Sequence, residues 1–278
     1  MCINQKKGLH MRFDASAYLA RIGLALWPKA DLEGLTQLQV AQLAAIPFEN
    51  LDPLTGKVPD ISPNGLHRKL IVAARGGYCF ELNGLFSQAL EFAGFAVQPL
   101  MARVRNGQPK GGARSHMAFV VTIEGQEYLA DCGFGGGAPI LPLRLGFEEP
   151  QDVRGETYRM RRDLKTGEEV LERLVGDDWY ALYGFDRARV QPVDFEAANF
   201  VTARWEKAPF PNNLMMAIVT DEGRNSIFNR TLKIATDDWT ESREIETYSD
   251  FQAIMTGLFA LPENEALFAA AWQRLADK

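Results

Sequence analysis

The sequence predicts an α+β fold in which helices and strands occupy separate stretches of the chain. Apolar residues recur with helical spacing through the first third, and β-branched or aromatic segments separated by glycine turns follow from about Val97. Helical spacing then returns at the C-terminus. This order differs from the regular alternation of strands and helices that is typical of a doubly wound sheet.

The composition is that of a folded chain without an excess of positive charge. Of its 278 residues, 46% are hydrophobic and 10% are aromatic, which excludes general disorder. The length predicts two or three structural units. A net charge of −6, from 30 Lys and Arg against 36 Asp and Glu, argues against a general attraction to nucleic acid or to an anionic membrane.

The cysteine content and the N-terminus predict a cytoplasmic protein. Three cysteines are too few for a disulfide framework, and the sequence has no Cys-x-x-Cys pair for zinc. It also has neither an apolar run long enough to span a membrane nor the apolar stretch of a signal peptide. The residues before Met11 are given little weight, so Cys2 and His10 receive no role.

Capping residues predict where the first three helices begin. Asp14 is placed at the start of the first helix, and Thr36 at the start of a second helix that Pro47 ends. Ser62 and Pro63 form a favourable cap and first turn for the third.

The fourth helix is predicted to carry a reactive cysteine. Apolar residues between Leu82 and Ala93 lie on one face, and Gly94 suits the left-handed residue after the helix. Cys79 lies in or just before the first turn, directly after a pair of glycines. Free N–H groups and the positive end of the helix dipole at that position favour a thiolate.

A hairpin is predicted to bring a histidine and a carboxylate together. If Met117–Ile123 pairs with Gln126–Asp131 around a tight turn, residues whose numbers sum to 249 face each other. Asp131 then opposes Ala118, and His116 is its diagonal neighbour on the same face. A shift of one residue would separate the two side chains.

Cys79, His116 and Asp131 can therefore form a nucleophile, a base and an orienting carboxylate. Each has a structural alternative, since an isolated cysteine or histidine more often belongs to a core or a strand end, and Asp131 could form an Asx-type turn. His67 is interpreted as a surface residue and Cys132 as a buried one. We predict no metal site, because Cys132 is expected to point away from Asp131.

The C-terminal part is predicted to contain a hairpin and two helices. Met215–Ile234 is interpreted as a hairpin, and Asp250–Phe259 and Glu263–Ala276 as the helices.

Several ordered motifs resemble those of arylamine N-acetyltransferases. The nucleophile segment 75–83 reads RGGYCFELN, and the other similar segments are 47–51, 115–117, 131–135 and 139–143. The resemblance implies a helical bundle (1–95), a β-barrel (96–198), an interdomain connection (199–213) and an α/β lid (214–278). It also implies a papain- or transglutaminase-like core, with the triad at Cys79, His116 and Asp131.

The resemblance implies an acyltransferase that uses acetyl-CoA as acetyl donor and arylamines or hydrazines as acceptors. The reaction would be ping-pong, through an acetylated Cys79. Ser115, Gly135 and Phe210 would contact the CoA donor, and Val104 and Phe134 would line the amine pocket. No metal, nucleic acid or membrane partner is implied, and a homodimer is left open.

Charged residues near these motifs add two expectations. Four basic side chains could contact the CoA phosphates or form a solvated loop: Arg103, Arg105, Lys110 and Arg114. Arg75 and Glu81 flank the start of the nucleophile helix, where an Arg–carboxylate pair would support the turn.

Two other functions stay open from the residues. The same triad would serve a hydrolase or a transglutaminase-like acyltransferase that does not use CoA. A small-molecule binding module with a structural cysteine is the non-enzymatic alternative.

Overall fold

The computed structural model describes residues 13–236, 238–276 and 278. Cys2 and His10 lie outside the described residues. The N-terminal part is helical, with a short strand inserted, in this order: α1 (Ala15–Ile22), α2 (Leu32–Ala45), β1 (Phe48–Glu49), α3 (Leu51–Leu54), α4 (Pro63–Leu66), a π-helical segment (His67–Val72) and α5 (Cys79–Phe92).

The predicted caps are confirmed for two helices and wrong for one. The Asp14 carboxylate accepts the Ala17 N–H at the start of α1, and Ser62 caps α4. Helix α2 begins at Leu32 because the Asp31 carboxylate accepts the N–H of Gly34. Thr36 lies inside that helix, where its hydroxyl donates to the Leu32 carbonyl instead of capping.

The central part is a nearly closed, barrel-like sheet of eight antiparallel strands. In chain order these are β2 (Ala96–Val104), β3 (Arg114–Ile123), β4 (Gln126–Ala130), β5 (Leu143–Arg144), β6 (Gln151–Val153), β7 (Glu156–Arg162), β8 (Glu169–Val175) and β9 (Asp178–Phe185). Their order across the sheet is β5-β4-β3-β2-β9-β8-β7-β6. In the β3–β4 pair Phe119 faces Ala130 and Ile123 faces Gln126, which confirms the predicted register.

The C-terminal part forms the lid. Helix α6 (Pro192–Arg204) leads into β10 (Met215–Val219), β11 (Gly223–Phe228), β12 (Thr231–Thr236) and β13 (Thr240–Glu244), followed by α7 (Tyr248–Gly257) and α8 (Glu265–Gln273). The segment predicted as one hairpin therefore contains three strands. The lid sheet has the order β1-β10-β11-β12-β13, so a strand from the helical region completes its edge.

Three buried apolar clusters hold these parts together. One joins the face of α5 to strands β2 and β3, one fills the barrel, and one lies beneath the lid sheet and its helices. Leu51 and Leu54 of α3 belong to the lid cluster, so burial of apolar surface ties the helical region to the lid. In the described part of the chain, we find no helix that has the length and apolar character needed to span a membrane.

Candidate active site

Cys79 is the first residue of α5 and is almost completely buried. Its thiol contacts the Ser115 carbonyl oxygen, with 3.6 Å between Sγ and O. Ser115 directly precedes His116 on β3, so the sulfur lies against the strand that carries the predicted base. The backbone N–H groups of Phe80 and Met117 point at the same sulfur.

Burial raises the pKa of the Cys79 thiol, and the negative charge of Asp131 raises it further. The two N–H groups that face the sulfur lower the pKa but do not compensate for burial. The helix terminus therefore does not by itself hold the sulfur as a thiolate, contrary to the expectation from its position. For this sulfur to act as a nucleophile, a base would have to take its proton.

His116 and Asp131 form the hydrogen bond that the predicted register requires. Nε2 of His116 lies 2.7 Å from Oδ2 of Asp131, and both side chains are buried. The contact follows from the β3–β4 pairing, which places both residues at the same end of the hairpin.

Asp131 accepts four hydrogen bonds. Oδ2 accepts from His116 and from the Tyr183 hydroxyl at 3.0 Å. Oδ1 accepts from Asn83 Nδ2 at 2.9 Å and from the Gly133 N–H at 2.8 Å. All the strong acceptor positions of this buried carboxylate are therefore occupied.

These donors keep Asp131 ionised. Burial acts to raise the pKa of Asp131, but the attraction of His116 and the hydrogen bonds from His116, Asn83 and Gly133 outweigh it, and the pKa lies below its usual value. Because an ionised Asp131 only accepts, His116 Nε2 carries a proton, and in the neutral imidazole Nδ1 is then the acceptor. The ring is thus oriented to take a proton at Nδ1.

Asn83 was missed as a site residue, although it ends the RGGYCFELN segment. Its Nδ2 also donates to the Met117 carbonyl, and its Oδ1 accepts the Cys132 N–H at 2.9 Å. One amide thus ties α5 to β3 and to the loop after β4. The signal was available, because Asn83 lies four residues after Cys79 on the same helix face.

Tyr183 was also missed, and nothing in the local sequence marks it. It lies on β9 and reaches Asp131 only because the barrel brings β9 beside β2. Its ring contacts that of His116, with 4.9 Å between the centroids. Burial raises the pKa of Tyr183, so its hydroxyl stays protonated and donates.

Of the three residues predicted to contact CoA, one contacts Cys79 and two lie beside the ring of Phe48. Ser115 contacts Cys79 directly. Gly135 has a positive φ of 86° and lies against the ring of Phe48, where a Cβ would approach within 3.3 Å. The Phe210 ring lies 6.0 Å from that ring and 5.4 Å from the ring of Tyr78, measured between centroids.

The two predicted amine-pocket residues lie on the barrel side. The Phe134 ring meets the His116 ring edge to face at 5.1 Å between centroids and also contacts Tyr183. Val104 ends β2 and pairs with Tyr183 of β9. Both residues are partly exposed, so part of their apolar surface is not used in packing.

Three of the four basic residues that were expected either to contact the CoA phosphates or to form a solvated loop instead form ion pairs within the protein. Arg105 is fully buried and forms ion pairs with Asp163 at 2.9 Å and Glu168 at 2.6 Å. Arg103 also reaches Glu168. Arg114 pairs with Asp186.

The expected pairing at the start of α5 exists with different partners. Arg75 binds Glu49 and Asp52, whereas Glu81 binds Lys69. Within the described residues, no group of three or more His, Cys, Asp or Glu side chains is arranged to hold a metal ion.

Known proteins share both the sequence pattern and the fold. A family model described as N-acetyltransferase matches residues 31–267. An arylamine N-acetyltransferase of Mycolicibacterium smegmatis is 36% identical over 237 residues, which are 83% of this chain and 86% of that protein. The structure of the Mycobacterium marinum arylamine N-acetyltransferase is 33% identical and has a TM-score of 0.88, covering 94% of this chain and 100% of that one.

A second structure of the Mycobacterium marinum enzyme, in complex with CoA, has a TM-score of 0.85 at 33% identity and covers 94% of this chain and 99% of that one. The match therefore extends beyond the N-terminal motifs, through the barrel and the lid. The buried His116–Asp131 pair that the sequence predicted is present in this fold, and Cys79 contacts the residue next to His116. The chain belongs to the arylamine N-acetyltransferase family.

Proposed function

We propose that this enzyme moves an acetyl group from acetyl-CoA to arylamines and hydrazines by a ping-pong reaction through an acetylated Cys79. The observation that carries the proposal is the 2.7 Å contact between His116 and Asp131, with the Cys79 thiol bound to the residue next to His116. Family membership supports acetyl transfer to arylamines.

In the first half-reaction, His116 Nδ1 takes the Cys79 proton while Sγ attacks the thioester carbonyl carbon of acetyl-CoA. Asp131 stabilises the imidazolium that forms. The C–S bond to CoA then breaks, and the departing sulfur takes the proton from His116. Cys79 is left as an acetyl thioester and the imidazole is neutral again.

In the second half-reaction, the amine nitrogen attacks the acetyl carbon on Cys79. His116 removes a proton from the amine and returns it to the cysteine sulfur as the C–S bond breaks. Arylamines and hydrazines suit this step because their low basicity leaves the lone pair free at neutral pH. The products are the acetylated amine and the free thiol.

The negative charge that develops on the carbonyl oxygen needs donors in both halves. The N–H of Cys79 lies in the first turn of α5, which has no acceptors within the helix. We propose this N–H as part of an oxyanion hole. The buried surroundings strengthen such a contact, since they exclude water.

The substrates would occupy the two sides of Cys79. We propose that acetyl-CoA lies along Ser115, Gly135 and Phe210, and that the amine lies against Val104 and Phe134. The CoA complex of the Mycobacterium marinum enzyme supports a CoA donor for a chain of this fold.

The test is to incubate the protein with acetyl-CoA without an acceptor and to measure its intact mass. We expect one added acetyl group, which is absent in Cys79→Ala and retained in the buried-cysteine control Cys132→Ala. Addition of an arylamine should remove the acetyl group and yield the acetylated amine.

An unmodified protein that still cleaves a simple activated ester through Cys79 would favour the CoA-independent hydrolase or transglutaminase-like enzyme. A Cys79 thiol that reacts with neither donor would favour the binding module.

A further inference from the structure

Five charged side chains are buried beneath the turn that leads into α5, and the proposed reaction uses none of them. We call them the charge cluster: Glu49, Asp52, Lys69, Arg75 and Glu81. The most exposed of the five side chains, Arg75, is only 15% exposed. Burying this many charges is costly unless each is paired, so their arrangement requires a reason.

The cluster is a continuous chain of ion pairs. Lys69 Nζ lies 2.7 Å from Glu81 Oε1 and 2.7 Å from Asp52 Oδ2. Arg75 joins Asp52 at 3.0 Å to Glu49 at 2.6 Å. Three carboxylates thus share two cations. Among the residues that the structure describes, Lys69 is the only cation that forms an ion pair with Glu81.

The cluster lies directly against the backbone that presents the nucleophile. Glu81 Oε2 accepts the Tyr78 N–H at 3.1 Å, one residue before Cys79. A Cβ at Gly77 would lie 2.9 Å from that same oxygen, and a Cβ at Gly76 would meet the Pro47 carbonyl oxygen first and Cγ of Glu49 at 2.7 Å. The two glycines of the motif are therefore required because the Pro47 carbonyl and the side chains of Glu49 and Glu81 fill the space beside them.

We propose that Glu81 and Lys69 are positioning residues for Cys79: their ion pair fixes the Tyr78 N–H and so holds the thiol against β3. The inference rests on the proposed role of Cys79 as nucleophile. It extends that role to a pair that touches neither the sulfur nor the substrates.

The electrostatics add a pH dependence to this geometry. Burial raises the pKa of Glu81 to about 7; Glu49 and Asp52 add to the increase, and Lys69 opposes it. The pKa of Lys69 is itself raised by these carboxylates against the effect of burial, so Lys69 stays charged. As the pH falls through about 7, Glu81 gains a proton, its pair with Lys69 weakens, and the hold on the turn loosens.

The test is the rate at which iodoacetamide alkylates Cys79 in the full-length protein, followed by mass spectrometry of the Cys79 peptide between pH 5.5 and 9. No acetyl donor is needed, so this test is separate from that of the transfer reaction. The variants are Glu81→Gln, Lys69→Met and Lys69→Arg. Arg68→Met is the matched control, because Arg68 is the neighbouring residue and its ion pair with Asp60 is exposed.

We expect the alkylation rate of the natural protein to show an inflection near pH 7, in addition to the general increase with pH that ionisation of the thiol causes. Glu81→Gln should lose that inflection and react about tenfold more slowly at pH 8, since a charged pair is replaced by a neutral contact. Lys69→Met should lower the rate by a similar factor and move the inflection to higher pH. Lys69→Arg and Arg68→Met should behave like the natural protein.

The double variant Lys69→Met/Glu81→Gln separates positioning from net charge, because it restores the net charge of the cluster without the pair. Its rate should stay low, and recovery to the natural rate would overturn the proposal. Natural profiles in both single variants would overturn it as well. If Lys69→Met does not unfold cooperatively in urea, it is not properly folded and is left out of the comparison. Glu81→Gln then tests the proposal alone, because its side-chain oxygen can still accept the Tyr78 N–H. A natural protein in which Cys79 is not alkylated would instead contradict its role as nucleophile.

Discussion

Asp131 and Glu81 are both buried carboxylates that support the start of α5, yet their pKa values move in opposite directions. The pKa of Asp131 lies below its usual value, whereas that of Glu81 is raised to about 7. Asp131 receives four hydrogen bonds and has one basic partner, His116. Glu81 shares Lys69 with other carboxylates.

The difference shows that burial alone does not decide the charge of a carboxylate. Donors directed at the oxygens favour the ionised form, and neighbouring negative charges oppose it. Asp131 is therefore a permanent charge that orients an imidazole. Glu81 changes its charge near neutral pH, which suits a support whose strength varies with pH.

Asp131→Asn should have the largest effect, because it replaces the permanent charge with an amide that can donate to His116 and select the wrong tautomer. We expect kcat/KM for acetyl transfer to fall on the order of 10³-fold or more. The measurement is acetylation of an arylamine at saturating acetyl-CoA, with exposed Asp152→Asn as the control. Activity within a few-fold of the natural enzyme would show that the ionised carboxylate is not needed.

Among substitutions around Asp131 that leave Asp131 itself in place, Asn83→Ala should destabilise the protein most. The change leaves Oδ1 of Asp131 with one donor fewer and removes the partners of Met117 O and Cys132 N–H. We expect the free energy of unfolding in urea to fall by roughly 4 kcal/mol. Ser87→Ala, on the same helix, should cost less than 1 kcal/mol by the same kind of estimate, and equal losses would contradict the bridging role.

Glu81→Gln should reveal the opposite pH dependence of the two carboxylates. The folded pKa of Glu81 lies above its unfolded value, so its ionisation destabilises the fold as the pH rises from about 4 to about 7. The folded pKa of Asp131 is depressed, so its contribution is present above the unfolded pKa and is lost only in acid.

Urea unfolding at pH 5 and pH 8 measures this difference. Between these values the natural protein should lose about 3 kcal/mol relative to Glu81→Gln. Asp131 does not contribute, because its folded and unfolded pKa values both lie below pH 5. Parallel pH dependences for the two proteins would mean that Glu81 does not titrate in this range.

Tyr183→Phe should have the smallest effect, because Asp131 keeps three of its four donors. Loss of a hydrogen bond to a charged group predicts a decrease in kcat/KM of about tenfold. The pKa of Asp131 should rise, while the ring packing against His116 is retained. A decrease as large as that of Asp131→Asn would show that the hydroxyl acts directly in the reaction.

Much of the site was predictable because its signals are local. The cap at Ser62 and the start of α5 at Cys79 follow from residues within one helical turn. The β3–β4 register follows from a short turn and an apolar pattern, so the meeting of His116 and Asp131 could be predicted. The cap at Thr36 was wrong because Asp31 offered a better acceptor one turn earlier.

The sequence by itself determined the order of the elements, the cysteine at the start of α5, and the histidine and carboxylate of one hairpin, since each depends on neighbours in the chain. Tertiary structure alone decided which distant groups complete the site. Tyr183 reaches Asp131 from 52 residues away, and Lys69 reaches Glu81 of α5 from the π-helical segment 12 residues earlier. The charges of these carboxylates depend on such contacts, because a pKa responds to distance and burial, which residue spacing does not encode.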